Sequence, residues 1–411
     1  MTKTTDGVTR RKTLRTDHPL WAATPRITVP SSSTPRHQDY DVIIVGAGIS
    51  GAMMAEALAD GKRRILVIDR RLPVRGSTMA STAMIQHEID IPLHQLDKLI
   101  GKEKAARAWQ RSSEAVKHLK RTIARLDIRC AFEERCTLYL AGEEYGSRAL
   151  QTEADRRIEA GLQAEYLKSA ELRERFGIQR TAGIVSNPSA SANPAQLTAG
   201  LHKAAAVRGV ETVSLLDITD LRETRDGVVL ATAGGRLLTA ADVVFCTGYE
   251  FLEVMESPAH RVISTWALAS EPRIPRPAWL DEFLVWEGSD PYLYFRSTPD
   301  GRIIAGGEDE ADPVAHLDQD KAKAKFARIA EKLKDLTGID IGKPAYGWAA
   351  AFGTTTTGLP IIDRTPGMDH VHAVMGFGGN GITFSAIASE LVASRIAGQP
   401  DPEEDLFRYP E

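Results

Sequence analysis

A chain of 411 residues, 43% hydrophobic and 26% charged, is too long for one small core and too apolar for a disordered or fibrous chain, which predicts two subdomains sharing an interface or cleft. Its 51 basic and 55 acidic residues leave a formal net charge of -4, so whole-chain electrostatics gives no reason to expect nucleic acid as a partner. Cys130, Cys136 and Cys246 form no paired pattern, which excludes a disulfide-stapled secreted scaffold and sets a reducing, cytoplasmic location as the expectation.

Residues 1–37 carry Arg10, Arg11, Lys12 and Arg15, with no apolar run of signal-peptide length after the twin arginines, and read as a flexible basic tail. Asp41 to Val45 is a short apolar strand that runs into Gly46-Ala47-Gly48-Ile49-Ser50-Gly51 and a helix ending near Asp60. A second strand, Arg64 to Ile68, ends at Asp69. Strand, glycine turn, helix and strand make a βαβ unit, whose parallel strands need cover on both faces. The glycines permit a sharp turn, close approach of backbone to a pyrophosphate and contact between helix and strand. The helix N-terminus offers free N–H groups to the phosphates, and Asp69 is placed to accept both ribose hydroxyls. The pattern therefore predicts dinucleotide binding. An acid at position 69 disfavours a 2′-phosphate and hence NADP, while Arg70, Arg71 and Arg75 line the adenine end or face solvent. The fingerprint alone serves FAD and NAD alike.

Apolar positions at helical spacing mark Glu103 to Leu126, and mixed charges over Ser147 to Arg175 predict a pair of solvent-facing helices. Pro194 opens a helix over Ala195 to Arg208, followed by β-like runs at Val213 to Ile218, Gly227 to Thr232, Arg236 to Leu238 and Asp242 to Cys246. Short runs at Trp266 to Ala269, Phe283 to Trp286, Tyr292 to Arg296 and Arg302 to Ala305, punctuated by Pro and Gly, predict an antiparallel sheet. Lys321 to Leu336 returns to helix. Val371 to Ser389 is long enough to span a membrane. Gly378, Gly379, Asn380 and Gly381 in its middle would strand backbone groups in lipid, so it reads as a strand, a loop and a helix, with no transmembrane segment.

Five separated motifs, VIIVGAGISG, GSTMASTAMIQHEID, ADVVFCTGYE, YLYFRSTPDGRIIAGGEDE and GFGGNGITFSAIASELVASRIAG, stand in the order seen in the FAD-dependent amine and amino-acid oxidoreductases of the D-amino-acid oxidase type, glycine and sarcosine oxidases among them, which this chain resembles over roughly Tyr40 to Gly398. The resemblance implies an α/β fold: a Rossmann-type FAD-binding domain with an inserted antiparallel substrate sheet. It assigns 38–125, 180–260 and 341–411 to a discontinuous FAD domain, and 126–179 and 261–340 to a substrate cap. It places Ser77, Thr78 and Ser81 along the flavin or phosphates, Ile218 beside the adenine, and Thr247 with Gly248 beside the pyrophosphate. Gly378, Gly379, Asn380 and Gly381 then form the loop before a helix from Ile382 whose N-terminus points at the flavin pyrimidine edge.

The implied reaction removes a hydride equivalent from a carbon next to nitrogen in a small amine or amino acid and passes the electrons to oxygen or another acceptor. No metal is implied. His87 and Glu88 follow the flavin-facing segment and are candidates to tune protonation or orient an amine. Tyr292, Tyr294 and Arg296 share one face of a strand, which makes the tyrosines a pocket cap and Arg296 a candidate anchor for a substrate carboxylate. Gly347 to Pro360, where sarcosine oxidases carry their flavin-linked cysteine, contains none, so noncovalent FAD is expected, with His87 as the residual attachment point. Two departures stand out. Trp348-Ala349-Ala350-Ala351-Phe352 lacks the arginine that clamps a carboxylate in amino-acid oxidases, and Arg302 to Gly307 lacks the sarcosine-oxidase lysine. A C–O bond in a hydroxy acid or polyol phosphate, a noncatalytic FAD-binding subunit and an NAD-dependent dehydrogenase remain open.

Overall fold

The computed structural model describes residues 8–16, 18–25 and 27–409. The chain enters one sheet with β1 (Asp39–Val45), α1 (Ile49–Leu58) and β2 (Ile65–Asp69), then crosses to another with β3 (Met84–Gln86). Helices α2 (Leu93–Ile100) and α3 (Lys102–Arg125) lead to β4 (Glu133–Ala141), α4 (Ser147–Glu159), β5 (Gln163–Lys168), α5 (Ser169–Phe176) and β6 (Ala182–Ser191). Helix α6 (Pro194–Val207) returns it to the first sheet for β7 (Glu211–Ser214), β8 (Ile218–Thr224), β9 (Gly227–Thr232) and β10 (Leu237–Phe245). The second sheet is completed by β11 (His260–Ala269), β12 (Phe283–Gly288), β13 (Leu293–Ser297), β14 (Ile303–Glu310), helix α7 (Gln319–Thr337) and β15 (Tyr346–Thr355). The first closes with β16 (Ile361–Arg364), β17 (Val371–Met375) and α8 (Gly381–Ile396).

The first sheet runs β16-β17-β10-β1-β2-β7, parallel from β17 to β7, with the β8–β9 hairpin alongside the first half of β10. Val42–Val45 of β1 and Ile65–Ile68 of β2 are apolar at every position because both faces of the sheet are covered there. Val42 and Ile44 of β1 pack under α1, α3 and α8, whereas Ile43 and Val45 face the β8–β9 hairpin. Each such side chain contributes about 1.5–3 kcal/mol on burial. The second sheet runs β15-β11-β14-β13-β12-β4-β6-β3, antiparallel except for β4 beside β12, and α7 covers it with Ile329 and Leu333.

Three expectations change. First, the flexible tail is, in its described part, a strap: Arg10 N–H donates to Phe251 O (3.0 Å), Ala351 N–H to Leu14 O (2.9 Å) and Thr16 N–H to Ala349 O (2.9 Å). The basic residues mask its anchors, Leu14 and Trp21, which are both 6% exposed, and Trp21 Nε1 donates to Ser81 O (2.6 Å). The remainder of the expected tail, residues 1–7, 17 and 26, lies outside the described residues. Second, Ser147 to Arg175 is α4, β5 and α5, because Gln163–Lys168 pairs along β6 as a polar edge strand. Third, β3, β6 and β15 belong to the second sheet although their sequence ranges were assigned to the FAD domain. Which distant strand each would pair with is not written in its own residues. The 371–389 stretch divides into β17, a glycine loop and α8, and no helix of the described residues is long and apolar enough to cross a membrane.

Candidate active site

The C-terminal ends of β1, β2 and β10 open into a cleft of about 430 Å³ whose other wall comes from the second sheet. At the β1–α1 turn a Cβ on Gly51 would lie 1.8 Å from the Gly46 carbonyl oxygen, and Gly46 itself has φ +116°, so only glycines let the helix approach the strand end. Gly48, Ile49 and Ser50 line the cleft, and Ile49 N–H donates to Thr78 Oγ1 (3.0 Å). The α1 N-cap is Gly48, with no side-chain cap bond and no acid in the first turn. The positive end of the helix dipole therefore faces the cleft uncompensated.

Asp69 ends β2, where its carboxylate accepts from Ala47 N–H (2.8 Å) and Arg71 N–H (2.7 Å), and burial pushes its carboxyl above the usual range. Arg70 and Arg71 converge on Glu250, which is only 4% exposed, with Arg71 making two bonds of 2.8 Å. Ser77, Thr78, Ser81, Ile218, Thr247 and Gly248 line the same cleft. Val8, Thr9 and Leu14 of the strap cross it, tied down by Lys12 N–H donating to Glu250 Oε1 (2.9 Å) and by Arg11 paired with Asp217.

The other end meets α8. Gly378, Gly379, Gly381 and Ile382 line the cleft, and α8 begins without a side-chain cap bond or an acid in its first turn. Asn380 does not line it. Its Nδ2 donates to the Glu88 carbonyl and fixes the loop. Asp90 Oδ2 accepts from Gly379 N–H (2.7 Å), in a contact so close that a Cβ on Gly379 would stand 2.7 Å from Asp90 Oδ1. The Asp90 side chain is exposed to the open cleft, and the protein packed around its other sides pushes the carboxyl up to about 6.

A β-bulge supplies a second carboxylate. Ser264 pairs with Glu310 and Trp266 with Gly307, so Glu308 and Asp309 stand opposite Thr265 alone, with Glu308 at φ +59°. The bulge sorts three consecutive acids. Glu308 meets Lys325, Arg328 and Lys332, and Glu310 pairs with Lys321 (2.7 Å) and Lys325 (3.0 Å). Asp309 faces the cleft, where its Oδ2 accepts from the Tyr292 hydroxyl (3.0 Å) and burial, with the nearby charge of Asp90 adding, pushes it up to about 6. Tyr249, Tyr292 and Tyr294 line the same region, the last two with ring centroids 5.7 Å apart.

Two residues predicted to be catalytic do not line the cleft. His87 is fully buried, its Nδ1 bonded to Pro188 O (2.8 Å) and its ring edge-on to Trp109, and burial lowers its pKa to about 4. Neighbouring Glu88 is locked to the fully buried Arg157 and accepts from Trp286 Nε1 (2.7 Å). Burial alone would lift the Glu88 carboxyl, but Arg157, His87 and the Ser186 and Trp286 donors hold it below its ordinary value. Arg296 spends its guanidinium on three backbone carbonyls, Thr82 (2.8 Å), Ser297 (3.0 Å) and Ala192 (3.2 Å). It is a strut between segments. Tyr294, the third predicted catalytic residue, does line the cleft. Asp90, Asp309 and Tyr249 were not singled out from sequence. The GGEDE run held the only local signal for one of them, a glycine pair before an acid.

The residues fit a flavin dinucleotide. A turn closed to any Cβ, an uncapped helix start and an acid at a strand end suit the adenosine and phosphates, and the uncapped start of α8 suits an anionic ring edge. Comparison with known proteins agrees. The family model for FAD dependent oxidoreductase (DAO) matches residues 41–395. A probable oxidoreductase of Haemophilus influenzae, OrdL, is 21% identical over 375 residues, covering 88% of this chain and 84% of its own. The glycine oxidase structure from Geobacillus kaustophilus superposes with a TM-score of 0.75 at 20% identity, covering 91% of this chain and 99% of that one. The L-proline dehydrogenase from P. horikoshii gives 0.73 at 16% identity, covering 90% and 97%. At these identities the solved structures establish the fold.

Proposed function

This chain belongs to the DAO family of FAD-dependent oxidoreductases, and from that premise we propose that it oxidises a C–N bond of an amine or amino acid, with FAD held noncovalently. The observation that carries the reading is one cleft with two uncapped helix starts, α1 and α8, and a wall of tyrosines and carboxylates between them. The names of its structural neighbours, a glycine oxidase and an L-proline dehydrogenase, lie on the same side. FAD, when bound, accepts a hydride equivalent and passes the electrons to oxygen or another acceptor.

The chain's own residues supply the rest. The α8 N-terminus favours negative charge where it points. Tyr249, Tyr292 and Tyr294 enclose the substrate and exclude water. A free carboxylate oxygen of Asp90 takes the proton that an ammonium must lose before its carbon gives up hydride, a role matched by a carboxyl raised to about 6. The resulting imine is released and hydrolysed by water. No lysine lines the cleft among the described residues, which supports an acceptor other than oxygen. The three free cysteines support a cytoplasmic location.

The test is absorbance. Purified protein should show bands near ~375 and ~450 nm that bleach anaerobically on addition of amines or amino acids, with oxygen uptake and dye reduction recorded in parallel. Bleaching only by hydroxy acids overturns the reading.

A further inference from the structure

The substrate end of the cleft carries an unbalanced negative charge. Asp90 and Asp309 both face it, and the only basic side chains lining any part of the cleft among the described residues are Arg70 and Arg71, already committed to Glu250 at the ribose end. Asp309 Oδ1 is buried with no hydrogen-bond partner of good geometry, and the donors that reach the carboxyl, the Tyr292 and Thr265 hydroxyls, are neutral. Lys325, whose charge acts on that carboxylate, is held by Glu308 (3.5 Å) and Glu310 (3.0 Å) and sits over the Trp266 ring. An enclosed anionic oxygen that lacks a donor is costly unless a ligand supplies one. Tyr249, Tyr292 and Tyr294 line the cleft with it, and aromatic rings suit a cation.

We propose, building on the C–N oxidation reading, that the pocket selects an amine without a carboxylate and with a second cationic nitrogen, which Asp90 and Asp309 hold among the three tyrosines. A monoamine brings one positive charge and passes its proton to Asp90 before reacting, which leaves the Asp309 carboxylate facing an uncharged substrate. A diamine keeps one ammonium throughout. An α-amino acid adds a third negative group to a region with no cation free to receive it, a repulsion that also excludes benzoate-like ligands.

The test uses the FAD-loaded enzyme and its flavin spectrum. An alkane bisguanidine, a monoguanidine of equal length and benzoate are titrated separately. The bisguanidine should bind at least about tenfold tighter than the monoguanidine, equivalent to about 1.4 kcal/mol, and benzoate should not bind. Asp90→Asn and Asp309→Asn should each reduce the preference to less than about threefold. The wild-type comparison stands even where a variant fails to fold. Affinity for the bisguanidine should fall as pH drops through about 6, where Asp90 and Asp309 take up protons. The hydroxyls facing them, Tyr249, Tyr292 and Tyr294, are all pushed upward by burial and keep their charge state over that range. Equal affinities, tighter benzoate binding or no spectral response to either guanidine overturns the inference. Anaerobic bleaching separates it from its premise: reduction by amino acids or monoamines but not by diamines sinks the second-cation assignment and leaves C–N oxidation standing. Reduction by hydroxy acids alone sinks both.

Discussion

Arg296→Met separates a substrate anchor from a strut. In the structure the guanidinium is 2% exposed and holds three carbonyls from three segments: Thr82 beside the cleft, Ala192 at the end of β6, and Ser297 on its own strand. Removing it orphans all three, at about 1–3 kcal/mol each. The loss is partly offset because the protein no longer buries a charge, whose cost shows in a pKa lowered to about 9 by burial and by Arg135. A net loss of about 3–5 kcal/mol follows. Urea unfolding of the FAD-loaded protein measures it, and kcat/KM per bound flavin should stay within about twofold. Arg296→Lys should be nearly as destabilised, since one ammonium cannot reach three carbonyls in a fork. Wild-type stability in Arg296→Met, with KM raised a hundredfold and partly restored by lysine, would refute the strut and reinstate the anchor.

Three further outcomes are expected. Gly51→Ala forces a Cβ to within 1.8 Å of the Gly46 carbonyl oxygen, so the variant should purify without flavin. A full flavin-to-protein ratio at normal circular dichroism would contradict the turn geometry. Deleting residues 1–16 removes the strap over the ribose end and should speed FAD release, followed by the rise of flavin fluorescence on dilution, by about tenfold or more, the equivalent of about 1.4 kcal/mol. An unchanged rate would mean that the strap does not retain the cofactor. His87 has a folded pKa of about 4 by burial, below its ordinary value of 6.5. Its stabilising effect is complete above 6.5 and lost as pH falls toward 4, up to about 3 kcal/mol. In His87→Asn, which keeps a donor for Pro188 O, the slope of unfolding free energy against pH over that interval should flatten by about one proton. An identical slope would show that the imidazole is not buried neutral.

The parts of the site that were legible are those encoded by adjacent residues. Gly46 to Gly51, Asp69 and the start of α8 each announce themselves within one turn, because a helix start and a strand end are local events. Tyr294 and Arg296 show where this stops: alternation puts both on one face of β13, but only the first lies over the cleft, and depth along a strand is set by the neighbouring sheet. Asp309 was hidden for a related reason. Its direction comes from a bulge, which exists only once Thr265 of β11 is matched against two residues of β14. Asp90 needed the α8 loop folded back on it. The strap is hidden in the sequence because nine residues, 8–16, with four basic side chains look solvated, while Leu14 and Trp21 decide where they lie.

That strap is made before its partners and can dock only after them. Its partners, Asp217, Glu250 to Leu252 and Ala349 to Ala351, come from much later in the chain, so closing it costs the entropy of a very long loop and must follow completion of both sheets. Until then the ribose end stands open, and the cofactor has a route in that the finished molecule covers. Thermodynamic reciprocity ties the two events: whatever the docked strap adds to the retention of FAD, bound FAD adds to the docking of the strap.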